Sequence, residues 1–225
     1  VSARTLGVVA LAAIVASLAL VPGSASAARL CTLEPAANEG PCKGSIYPGS
    51  TAFSGGLGAT NLVITLGATG TIECLFSTVK GTIKNEGGGA GTPVGAEVAS
   101  WIFGSKSEEA KNCLLVGVIA CTISDGLNVA YEANFAHSAG TKGNGTLTFK
   151  PHAGGGNPGM IVKCGTSVNC IFKAPEIQFV VVGGAKATAK VTKKAMEREG
   201  SNCPGEALLT ATYELTPGPL FVTNE

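Results

Sequence analysis

Chemistry in this chain would have to come from few side chains. Asp125 is the single aspartate, and His137 and His152 are the two histidines. A Ser-His-Asp hydrolase brings three such groups together in space. Asp125 falls in a Ser-Asp-Gly turn, where aspartate is a common turn former. His137-Ser138 ends a strand-like stretch, and His152 precedes a glycine-rich loop. The chain has no G-x-S-x-G elbow, so surface histidines and a turn aspartate are the simpler expectation. Ser77-Thr-Val-Lys80 has the S-x-x-K spacing of penicillin-recognising enzymes, which set it at a helix start beside S-D-N and K-T-G elements. Here it lies in strand-like sequence without either companion. A glycosidase sets two carboxylates across a sugar. Glu73, Glu97, Glu132, Glu176 and Glu214 lie on or near strands, although such polar-face positions also suit plain solvation.

Other ligand classes have weaker support. Carbohydrate faces present several aromatics, whereas this chain has Trp101, Tyr47, Tyr131 and Tyr213. Tyr131 and Tyr213 fall on core-facing positions, and Trp101 sits beside Ile102 and Phe103, so packing outweighs stacking. Asn144-Gly-Thr146 fits a glycosylation sequon, and equally a hairpin turn, which is the expectation. Metal binding wants C-x-x-C knuckles or Cys/His clusters, and neither occurs. Nucleic-acid binders carry a basic surplus with arginines. This chain carries 16 basic against 15 acidic side chains, and past Arg4 its arginines are Arg29 and Arg198. No catalytic residue, metal ligand or cofactor is therefore assigned, and nucleic acid is set aside.

The cysteines are the strongest chemical signal. Cys31, Cys42, Cys74, Cys113, Cys121, Cys164, Cys170 and Cys203 make an even set of eight. In an exported chain such a set implies disulfides. Nearness in sequence pairs Cys31–Cys42, Cys113–Cys121 and Cys164–Cys170, which leaves Cys74–Cys203. Residues 165–169 would form a hairpin loop with its flanking cysteines opposed.

Export is read from the first residues. Arg4 precedes an unbroken apolar run over 6–20, then Pro22-Gly23 and Ala25-Ser-Ala27. Charged start, apolar stretch and A-x-A site make a secretory signal peptide over residues 1–27. As a helix the run would reach only about 22 Å, short of a hydrocarbon core of about 30 Å. Leu30 and Arg29 before Cys31 do not fit a lipoprotein signal, and the C-terminal residues form no apolar tail. No stable membrane anchor is expected after cleavage. Leu114–Cys121 is apolar but short and reads as a buried strand.

The elements that would position these groups are strands. Helical periodicity is scarce, and period-two alternation recurs at 127–135, 147–149, 185–192 and 207–215, putting one strand face on a core and the other toward water. Further strands are expected at 60–66, 70–76, 78–84, 96–103, 113–118, 121–124, 160–164, 170–173 and 177–182. Glycine-rich turns punctuate them. Short helices are expected at 105–111, from its capping spacing, and as an alternative to strand at 193–199, which Gly200 would stop. The pattern is all-β, an antiparallel β-sandwich with a β-barrel as alternative, with disulfides and little helix. Residues 28–50 read as an irregular disulfide-stapled N-terminal segment, and residues 51–225 as the β-sandwich domain.

Arg198-Glu-Gly200, Cys203-Pro204, Ala211-Thr-Tyr213-Glu-Leu and Pro217-Gly-Pro219-Leu-Phe-Val222 resemble the C-terminal part of exported, cysteine-bearing β-rich proteins of high-GC Gram-positive bacteria. The resemblance implies export and a β-rich fold, and it carries no functional residue onto this chain. The sequence thus leads to a secreted structural or binding module of unknown extracellular or cell-surface ligand and unknown partners. A secreted hydrolase of glycosidase or esterase type is the alternative. Loops 85–92 and 153–159 are the expected places for ligand contact.

Overall fold

The computed structural model describes residues 27–38, 40–88, 92–104, 112–116, 119–125, 130–166, 168–200 and 203–224. The signal-peptide expectation, apart from Ala27, and the helix expected over 105–111 lie outside the described residues. The described chain is all-β. Its strands are β1 (Arg29–Cys31), β2 (Ala52–Leu57), β3 (Leu62–Thr65), β4 (Thr71–Cys74), β5 (Phe76–Ile83), β6 (Val94–Gly104), β7 (Asn112–Leu115) and β8 (Ile119–Asp125). They continue with β9 (Tyr131–His137), β10 (Gly145–Lys150), β11 (Gly159–Cys164), β12 (Val168–Lys173), β13 (Ile177–Val182), β14 (Thr188–Glu199), β15 (Ala207–Thr216) and β16 (Phe221–Thr223). A single 3-10 turn at Gly67–Thr69 is the helical element among the described residues.

Alternation explains most of these strands. In β15, Ala207, Leu209, Ala211, Tyr213 and Leu215 are buried while Glu214 is exposed. β13 buries Ile177, Phe179 and Val181 and exposes Val180 and Val182. Such a pattern stabilises a pleated strand with one face on the core. Residues 193–199 complete β14 as strand, so the helical alternative fails there. Residues 114–121 are not one buried strand: β7 ends at Leu115, β8 starts at Ile119 and pairs antiparallel with β7, and Val116 and Ile119 are exposed.

All pairings are antiparallel. β1 and β16 form a separate ribbon. The other strands join one continuous sheet whose pairings close into two circuits. The first runs β10–β13–β14–β15–β2–β5–β6–β9 and returns to β10. The second runs β14–β12–β11–β8–β7–β4–β3–β15 and returns to β14. The β14–β15 hairpin belongs to both. The first half of β14 pairs with β13 and its last three residues with β12. A register shift between Val191 and Lys194 separates the halves. Such a bulge bends and twists its strand, as the handover requires.

Aromatic side chains fill the first circuit. Trp101 meets Phe149 edge-on at 5.8 Å between ring centroids, and Phe179 meets Tyr213 at 6.0 Å. Burying each phenylalanine contributes about 1.5–3 kcal/mol. Gly81 lets β5 pass beside Phe53: a Cβ there would collide with that ring and with the Glu97 carbonyl.

Disulfides hold the second circuit. All eight cysteines are bonded, as Cys31–Cys42, Cys74–Cys113, Cys121–Cys164 and Cys170–Cys203. The expected Cys31–Cys42 pair is present, while Cys113–Cys121, Cys164–Cys170 and Cys74–Cys203 are replaced. Strand register is the reason. β12 begins at Val168, earlier than the expected start at Cys170, so Cys164 opposes Val168 and Cys170 opposes Val162. On its other flank Cys164 directly faces Cys121, and Cys121 faces Cys113 across β7–β8. Cys74, Cys113, Cys121 and Cys164 thus form one buried row over four neighbouring strands. Directly opposed residues alternate between hydrogen-bonded pairs about 5.5 Å apart and closer pairs about 4.5 Å apart. A residue that forms the close kind with one neighbour forms the wide kind with the other. The bonded pairs span 4.5 and 4.1 Å between Cα atoms, the close kind. That leaves Cys113 and Cys121 as a wide pair, adjacent but unbonded.

Candidate functional site

Most of the residues that suggested chemistry are structural. Asp125 accepts a hydrogen bond from the Tyr131 hydroxyl. His137 is buried at the end of β9, with Nε2 3.1 Å from the Thr141 carbonyl. His152 is on the surface near Glu132. These contacts place Asp125 beside Tyr131, His137 beside Thr141 and His152 beside Glu132, three separate positions rather than one cluster. Ser77 is buried and Lys80 exposed, because β5 sends them to opposite faces. That strand geometry removes the S-x-x-K reading. Asn144 offers Oδ1 to the Gly183 N–H at 3.0 Å and so pins its turn.

Trp101, Tyr131 and Tyr213 are buried and offer no stacking platform. Tyr47 donates to the Pro219 carbonyl at 2.7 Å, and burial raises its pKa. Tyr213 anchors a polar contact that its core position did not announce. Trp101 Nε1–H donates to its oxygen at 2.8 Å, and Ser77 Oγ lies 2.9 Å away. Burial pushes the Tyr213 pKa up to about 12, against the opposing pull of the Ser77 and Trp101 hydrogen bonds. Around this contact the first circuit is almost solid. A void of about 10 Å³ remains among Phe53, Leu147, Phe179 and Tyr213, about one water's worth.

The polar groups that do converge lie outside. Glu97 on β6 and Glu132 on β9 are direct cross-strand partners. Their Cβ atoms therefore stand about 4.5–5.5 Å apart on one face. Lys84 Nζ is 3.1 Å from Glu97 Oε2, and His152 Nδ1 is 3.9 Å from Glu132 Oε1. These cationic or polar neighbours offset the repulsion between two like charges. With Asn134 they line an open groove of about 260 Å³. Lys84 and Gly95 flank loop 85–92, and His152 leads into loop 153–159, so the groove lies between the bases of the two loops expected to contact ligand. Glu73, by contrast, meets Asn61 at 3.5 Å, and Glu73, Glu176 and Glu214 are not among this groove's lining residues. Sequence named both glutamates of the pair, but only the β6–β9 register joins them.

The groove can accept and donate hydrogen bonds to a hydroxyl-rich ligand. Glycosidic cleavage wants carboxylates on both sides of a bond, whereas Glu97 and Glu132 rise side by side from one sheet face. No three His, Cys, Asp or Glu side chains gather as a metal site among the described residues, and no described helix is long and apolar enough to cross a membrane.

Fold and site together define a disulfide-stapled, antiparallel all-β protein with an aromatic-packed first circuit and outward-facing polar grooves. Comparison of the chain with protein-family models, curated proteins and solved structures finds no match.

Proposed function

We propose that this chain is a secreted module that binds its ligand on its outer surface, beyond the cytoplasm. Four disulfides suit an oxidising compartment, and the secretory pattern over residues 1–27 supports the same placement. The observation that carries the binding reading is the contrast between the filled first circuit and the open groove at Glu97, Glu132 and His152. The kinship with exported, cysteine-bearing β-rich proteins belongs to this proposal.

Expression of the full chain in an exporting bacterium tests it. Processed protein with four intact disulfides is expected outside the cells; cytoplasmic retention with free thiols overturns the placement. Shortening loops 85–92 and 153–159 is expected to abolish ligand capture, and unchanged capture overturns the surface assignment. A secreted hydrolase of glycosidase or esterase type is the alternative, and the side-by-side placement of Glu97 and Glu132 weighs against its glycosidase form. That form requires turnover of a glycoside panel by the wild type and its loss in Glu97→Gln and Glu132→Gln.

A further inference from the structure

A second outer face of the first circuit carries a charge pattern of its own. Lys186, Lys190, Lys193 and Lys194 fall within nine residues of an almost neutral chain. Lys190, Lys193 and Lys194 lie on β14 and line one groove, while Lys186 sits in the turn before that strand. Lys190 points outward by ordinary alternation. Continued alternation would turn Lys193 inward. Instead the bulge after Val191 leaves Thr192 and Lys193 exposed and Lys194 half-buried before Met196 resumes the core. Lys193 adopts a left-handed φ of 48°, uncommon for a side-chain-bearing residue. Its N–H donates to Thr210 Oγ1 at 3.0 Å, which holds the bulge in place.

The surroundings of these lysines are unlike those of Lys84, Lys142 and Lys173, each of which is within 3.1 Å of a glutamate. Among the described residues no carboxylate lies within ion-pair distance of Lys186, Lys190, Lys193 or Lys194. Three of the four line an open groove of about 610 Å³, with Glu176 the one acidic residue in its wall. Val180, the cross-strand partner of Lys190, and Val182 are 57% and 50% exposed. Both belong to the groove, with Gln178 and Thr188 beside them.

We infer that this face binds an anionic polysaccharide. Unpaired ammonium groups supply complementary charge, and long-range attraction between opposite charges concentrates a polyanion at such a patch. The exposed valines offer an apolar floor for the C–H faces of sugar rings, and Gln178 and Thr188 can hydrogen-bond ring hydroxyls. None of the lining residues is shared with the Glu97–Glu132 groove, so the inference stands apart from that site.

The test uses the full chain with its disulfides intact and labelled polygalacturonate, dextran sulfate, neutral dextran and inorganic polyphosphate as probes. Polygalacturonate and dextran sulfate are expected to bind, more weakly as salt is raised, and neutral dextran is not. The triple variant K190Q/K193N/K194Q is expected to lose about tenfold in affinity; asparagine keeps the left-handed position accessible. V180S is expected to weaken polygalacturonate binding several-fold, and K43Q/K163Q to leave it unchanged. Circular dichroism and disulfide mapping confirm that each variant is folded. Wild-type affinity in the triple variant, equal binding of neutral dextran, or polyphosphate binding that matches polygalacturonate and ignores V180S overturns the inference.

Discussion

Replacing Tyr213 with phenylalanine probes the polar contact inside the aromatic core. The change keeps the ring and its edge contact with Phe179. It deletes the acceptor that Trp101 Nε1–H reaches at 2.8 Å. Trp101 is 2% exposed, so water cannot replace that acceptor, and an orphaned buried donor costs about 1–3 kcal/mol. In a chain of 225 residues each kcal/mol lowers Tm by roughly 2–4 °C. Alkaline pH adds a second signature. The folded Tyr213 ionises at about 12, while an unfolded tyrosine ionises near ~10. Below that lower value the phenol is neutral in both states. Above it the unfolded chain loses a proton that the folded chain keeps, so stability falls as pH rises. The loss from this group approaches about 3 kcal/mol as pH passes above the folded value. Tyr213→Phe lacks it. The variant is therefore the less stable protein at neutral pH, but its stability falls less steeply in alkali, and the two curves approach each other. Guanidinium chloride titrations followed by the fluorescence of Trp101, the single tryptophan, measure both effects with disulfides intact. Equal midpoints at neutral pH, or parallel decline in alkali, would refute the assigned role of the hydroxyl.

A non-reduced digest is expected to yield Cys31–Cys42, Cys74–Cys113, Cys121–Cys164 and Cys170–Cys203; a Cys113–Cys121 peptide would contradict the ladder argument. Removing the Cys74–Cys113 bridge with paired alanines opens a separation of 39 residues and is expected to cost about 4 kcal/mol in the chain-entropy model, read by denaturant unfolding. Gly81→Ala forces a methyl group against the Phe53 ring and the Glu97 carbonyl, and is expected to cost about 1–3 kcal/mol; an unchanged Tm would show that β5 and β6 shift freely. Thr210→Val removes the acceptor for the Lys193 N–H and is expected to cost about 0.5–1.5 kcal/mol, measured by the same unfolding titration.

Local pattern carried much of the fold into view, because alternation is a property of a few consecutive residues. The run from Ala207 to Leu215 reads as strand in the sequence and buries its apolar face in the structure. Pairing is not local. Nothing between residues 97 and 132 tells that Glu97 and Glu132 stand opposite each other; the β6–β9 register decides it. The ambiguity at 193–199 has a definite cause as well. The left-handed Lys193 inserts a residue into β14, so Ala195 faces outward and Met196 inward, and the earlier alternation does not carry through. The Trp101–Tyr213–Ser77 contact left no mark in the sequence beyond two core-facing aromatics, since Ser77 lies 136 positions from Tyr213.

The cysteine pairing and the placement of the grooves follow from one division of the molecule. The three bridges Cys74–Cys113, Cys121–Cys164 and Cys170–Cys203 fasten strands or loops of the second circuit. None of them touches β2, β5, β6, β9, β10 or β13, where Phe53, Trp101, Phe149 and Phe179 pack instead. Both grooves open on this aromatic-filled circuit. A solid apolar filling fixes the pleat beneath an outer face, and the outward side chains contribute little to that filling. Glu97, Glu132 and Lys190 can therefore vary for recognition at small cost to stability, whereas Lys193 is constrained by its left-handed backbone. The β14–β15 hairpin joins this circuit to its cross-linked neighbour.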